Sequence, residues 1–135
     1  MPKRPLKFAP KDLEKFLNLT HKGVLVQMQK ELGSTRVSPV DTGRFKSSWF
    51  AQEGTPSREE IPEQAKSNYR INRDAVNLEL NWKSTYFLSN NLDYAESVVG
   101  GRVVSKSPGW FNAFLTGRYP KIVDAAVRAA KKQIP

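Results

Sequence analysis

The chain has 135 residues, enough for one domain with its own hydrophobic core and short for two. It has no cysteine and one histidine, His21, so a disulfide framework, a thiolate metal site and a two-histidine metal site are all ruled out. The formal charge of +9, from 22 Lys and Arg against 13 Asp and Glu, points to polyanions or acidic protein surfaces as neighbours and says nothing of fold.

Residues 1–9 read as an extended basic arm, because Pro2 and Pro5 block a helix and Lys3, Arg4 and Lys7 meet no acid. No apolar core follows the basic start, so a signal peptide is not expected. No run of about 18 apolar residues occurs, so no membrane span is expected and a cytosolic origin is the default. Residues 10–135 read as a single α+β domain, with mobile segments near 54–72 and 100–109.

A long helix is expected over 10–33. Pro10 suits a first turn, Asp12 and Glu14 suit its positive end, and Leu13, Phe16, Leu17, Thr20, Val24, Leu25, Met28 and Leu32 recur at helical spacing. Gly23 weakens the middle by about 1 kcal/mol against alanine. Gly33-Ser34 supplies a C-cap. His21 lies beside the apolar stripe and reads as a partly exposed surface residue.

Pro39 keeps Ser38 out of the helical region, so the helix is over by then. In the turn that follows, Asp41 and Thr42 can bond nearby backbone N–H groups, and Gly43 can take a positive φ. A helical turn over 43–47, which contains Arg44, is expected next, and then a strand through about 53 that contains Trp49. Residues 54–69 read as a loop, with Gly54, Pro56, Pro62 and three acids. Residues 74–82 alternate, with Val76, Leu78, Leu80 and Trp82 on one side, and read as a half-buried antiparallel strand. An apolar run over 85–88 and a turn at Asn90-Asn91 follow. Trp110, Phe111, Phe114 and Leu115 form an apolar patch. Pro120 is read as opening the last helix, whose stripe is Ile122, Val123, Ala126, Val127 and Ala130, with Lys131-Lys132 at its negative end. The expected fold is α+β: a long N-terminal helix and a C-terminal helix packed on one face of a small antiparallel sheet.

Asp41-Thr42-Gly43 matches the signature triplet of aspartic proteases, whose catalytic aspartate must end a buried apolar strand. Ser38-Pro39-Val40 before it and charged Arg44 after it do not fit, so an Asx-type turn is the better reading. No P-loop, nucleotide fingerprint or metal-spaced carboxylate set is present. The expectation is a protein that is not an enzyme and takes no cofactor. The basic residues concentrate at the two ends: residues 102–135 carry seven basic groups against only Asp124. A basic nucleic-acid-binding module is therefore the alternative reading.

Three stretches in order carry a resemblance: Pro39-Val40-Asp41-Thr42-Gly43-Arg44 through Trp49; then Asn90, Tyr94, Ala95, Glu96, Val98 and Gly101; then Tyr119-Pro120-Lys121-Ile122-Val123-Asp124-Ala125-Ala126. Together they resemble the neck and tail-completion proteins of tailed bacteriophages, over nearly the whole chain. The resemblance implies a virion structural protein, assembled in the host cytoplasm into a sixfold or twelvefold ring at the head–tail junction, around the DNA channel. Its partners would be further copies of the chain and other connector, head-completion and tail-terminator or tail-tube proteins. On this reading Tyr94, Glu96, Gly100, Gly101, Arg102 and Lys106 are candidates for the assembly interface. Arg44, Lys46, Arg102 and Lys106 are candidates for lining the channel, with non-specific, salt-dependent contact to DNA.

Overall fold

A computed structural model of the chain describes residues 9–34, 44–62, 69–92, 95–99 and 109–134. The fold is α+β, two long helices and a small antiparallel sheet, as the pattern predicts. The N-terminal arm, the Asp41-Thr42-Gly43 turn and the 100–108 segment lie outside the described residues.

Helix α1 runs Pro10–Leu32. It starts on a proline, whose missing N–H is no loss where the N–H would have no helical partner, and Ala9 O accepts the Asp12 and Leu13 N–H groups at 2.9 Å. It ends at Gly33, whose N–H donates to Gln29 O at 2.9 Å. Gly33 has φ −79°, so the expected cap is present but not left-handed. Glycine is needed for space instead: a Cβ would collide with Ile71 Cγ2 and sit 3.2 Å from Gln29 O.

Strand β1, Trp49–Glu53, pairs antiparallel with β2, Tyr86–Asn90, with Trp49 opposite Asn90 and Glu53 opposite Tyr86. Arg44–Ser47 form the expected turn before β1, where Ser48 N–H donates to Phe45 O at 3.1 Å. Gly54 leaves β1 at φ +85°, a conformation that disfavours any residue with a Cβ, and its N–H donates to Thr85 O at 2.8 Å. Among the described residues the sheet has these two strands rather than several.

The missing strand is the one expected over 74–82. Asp74–Asn77 form a 3₁₀ turn, and residues 78–81 are irregular. The alternation there does not track burial: Ala75 is fully buried, while Val76 and Trp82 are exposed. Side chains, not a neighbouring strand, satisfy this backbone. Ala75 N–H donates to Gln29 Oε1 at 3.0 Å, Trp82 N–H to Asn18 Oδ1 at 2.8 Å, and Asn81 N–H to Tyr86 Oη at 2.7 Å. Once those donors are satisfied by side chains, a ladder offers little more.

The C-terminal helix begins ten residues before Pro120. Helix α2, Ala95–Val99, is followed by α3, Trp110–Ala113, a widened π turn, Phe114–Arg118, and α4, Tyr119–Lys131. Trp110 and Phe114 are buried at i, i+4 spacing, which makes the apolar patch helical. A proline in a helix interior lacks a donor and its ring crowds the carbonyl four residues back. The π turn accommodates this, with Tyr119 N–H donating to Phe114 O.

α1 lies against both strands, and α4 lies along α1. Where they cross, a Cβ on Gly23 would lie 3.2 Å from Ala126 Cβ, so the glycine that weakens α1 locally lets α4 approach. One hydrophobic cluster joins Leu32, Phe45, Trp49, Leu92, Val98, Trp110, Phe114 and Ile122. A smaller cluster, Leu25, Ala51 and Ala75, holds the 3₁₀ turn against α1 and β1.

Candidate functional site

The three stretches that are far apart in sequence meet in space. Trp49 and Asn90 are paired across the sheet, and Asn90 Nδ2 donates to Phe45 O at 2.9 Å. Ala95 and Val98 of α2 and Ile122 of α4 enter the same cluster as Phe45 and Trp49. Trp49 stacks on Phe111 with centroids 6.3 Å apart and planes 6° apart, and it meets the Phe45 edge at 5.6 Å. Trp110 Nε1–H donates to Val98 O at 2.9 Å. Trp49 therefore sits in the core, and the motifs are joined by packing.

Arg44 is half-buried at the head of this turn, and its Nε–H donates to Ile61 O at 2.9 Å. Ser57 is buried beneath the same loop, and its carbonyl accepts from Ser89 Oγ and Asn91 Nδ2. The described part of the 54–72 segment is thus anchored to β2 and to the motif turn. Lys46 is half-buried. Glu96 falls within α2. Asp41, Thr42, Gly43, Tyr94, Gly100, Gly101, Arg102 and Lys106 lie outside the described residues.

Two features escaped the sequence reading. Gln29 is 1 % exposed and bridges three segments: its Nε2 donates to Trp49 O at 2.9 Å and to Asp74 Oδ1, and its Oε1 accepts from Ala75 N–H. Its place between Leu25 and Leu32 on the apolar stripe was the available signal. The other is an ion pair between Arg118 in the π turn and Glu31 near the end of α1, bonded through both Arg118 Nε and Nη2. Hydrogen bonding to Glu31, then its negative charge, raise the Arg118 pKa above the ordinary value. The contribution of a raised pKa is complete below the ordinary value and is lost only as pH rises through the raised one. For an arginine this leaves the pair charged on the guanidinium side across the whole working range.

A groove of about 450 Å³ runs between α1, the start of β2 and α4, lined by His21, Val24, Met28, Tyr86, Tyr119 and Val123 among others. His21 is exposed there, in keeping with its position beside the stripe. Among the described residues, no three of His, Cys, Asp and Glu lie close enough to hold a metal ion. No helix in those residues is long and apolar enough to cross a membrane.

No family model matches the chain, and neither a curated protein nor a solved structure is detectably similar to it.

Among the described residues, the exposed charge is most one-sided on α4. Lys121, Arg128, Lys131 and Lys132 are all exposed, and Asp124 is the single acid of that helix. A shallow groove lined by Ala125, Arg128, Ala129, Lys131, Lys132 and Gln133 follows its last turns.

Proposed function

We propose that the chain is a virion structural protein of a tailed bacteriophage, forming a ring at the head–tail junction that joins the portal complex to the tail around the DNA channel. The observation that carries this reading is the ordered set of three motifs. Their packing against one another supports it, since residues that resemble a family in order should also cooperate in one fold. A ring needs a heterologous interface that closes by rotation, and exposed Leu115 and Tyr119 beside the groove on α1 offer apolar surface for one.

Location in the particle tests the proposal. The chain is labelled in purified virions and found by electron microscopy. The expected result is signal confined to the head–tail junction, together with filled heads and free tails when the gene is deleted. Normal infectious particles from the deletion would overturn the reading. Absence from every particle, with duplex binding by the free chain, would leave the stand-alone nucleic-acid-binding module.

A further inference from the structure

We propose that the outward face of α4 is a binding surface for the phosphate backbone of duplex DNA. Its role as a channel lining rests on the neck reading, whereas the binding itself does not. Lys121, Arg128 and Lys132 are separated by seven and four residues, so they share one helix face over about 16 Å. All three are exposed, and Ala125 and Ala129 between them are short and exposed, so the cations stand clear of the surface. No large apolar side chain lies on this stripe, which argues against a buried protein interface there. Lys15 Nζ donates to Gln133 O at 3.3 Å, which brings a further cation from α1 to the same end. The negative end of the α4 dipole works against phosphate, but it amounts to about half a charge, and Lys15, Lys131 and Lys132 outweigh it.

The family resemblance makes Arg44, Lys46, Arg102 and Lys106 candidates for DNA contact. Arg44 donates through Nε to the loop carbonyl of Ile61, and α4 adds an exposed row of cations flanked by a single acid, Asp124. A row of lysines and arginines without base-reading geometry suits a duplex that must slide.

The test uses the full chain and a fluorescent mixed-sequence duplex of about 30 base pairs, titrated over a range of salt concentrations. The triple variant Lys121→Gln, Arg128→Gln, Lys132→Gln keeps good helix formers at exposed positions, and its melting curve checks the fold. The expected result is binding by the parent chain, at least tenfold weaker binding by the variant, and a log–log salt slope lower by roughly two to three. A matched triple elsewhere on the surface, Lys30→Gln, Arg58→Gln, Arg73→Gln, is expected to change the slope by less. Equal losses from both triples, or none from the α4 triple, would overturn the assignment. Displacement of the duplex by poly-glutamate at equal charge concentration would overturn it too, since the face would then prefer acidic polypeptide. Particle microscopy tests the neck reading separately: duplex binding through α4 with no signal at the junction would sink the channel role and leave the surface.

Discussion

At Gln29 a single amide completes the backbone of two other segments, so its loss orphans several buried groups at once. Gln29→Ala is expected to lower stability by on the order of 2–4 kcal/mol, read from urea denaturation, because each orphaned buried group costs about 1–3 kcal/mol and water relieves only part of it. Gln29→Glu would place a carboxylate against Trp49 O and the Asp74 carboxylate, and burial would raise the new group's pKa. Stability from a raised pKa is present at low pH and lost as pH rises, so the gap between this variant and the parent should narrow on acidification. Ser47 and Ser48 make a second contrast. Both are fully buried, yet Ser48 Oγ donates to Arg44 O at 2.6 Å, while Ser47 Oγ has no hydrogen-bond partner among the described residues. Ser48→Ala should cost about 1 kcal/mol and Ser47→Ala nothing, or slightly stabilise, in the same denaturation experiment.

At the scale of elements, two glycines matter for the room they leave. Gly33→Ala should cost about 1–3 kcal/mol although its φ is ordinary, because the methyl group must displace Ile71 at the end of α1. Gly23→Ala sets a helix-propensity gain of about 1 kcal/mol against the tight contact with Ala126 and should leave thermal stability nearly unchanged. Gly23→Leu cannot fit the crossing and should cost about 1–3 kcal/mol, with α1 and α4 forced apart. The two Gly23 variants therefore separate propensity from packing in one pair of melting curves. The π turn belongs to this scale too. It carries one helical run past Pro120, and the Arg118–Glu31 pair fastens it to α1.

For the whole molecule, the arrangement is a packed interior with a basic helix outside. The buried residues of the motifs, among them Phe45, Trp49, Val98 and Ile122, hold the fold together, while Tyr119 and Lys121 of the third motif are exposed. Substitution of Trp49, which stacks on Phe111 and meets Phe45, should therefore act through unfolding. Substitution of Lys121, Arg128 and Lys132 should leave the melting temperature within a few degrees while changing only salt-dependent binding.

The sequence by itself determined the long helix from Pro10, the turn and strand around Trp49, the apolar stripe of the last helix and the α+β class. These rest on local rules: proline and acid at a helix start, and apolar residues recurring at helical spacing. Tertiary structure alone decided three things. Residues 74–82 alternate well enough for a strand, but Gln29 and Asn18, on a helix over 45 residues away in the chain, bond their backbone, and no local pattern contains that. Pro120 is compatible with a helix start, but Trp110 and Phe114 buried against the core pull the helix back to begin earlier. Gly23 looks like a weakness until Ala126 is beside it. In each case propensity along the chain was overruled by a partner distant in sequence, because burial and satisfied hydrogen bonds outweigh the fraction of a kilocalorie per residue that local preference supplies.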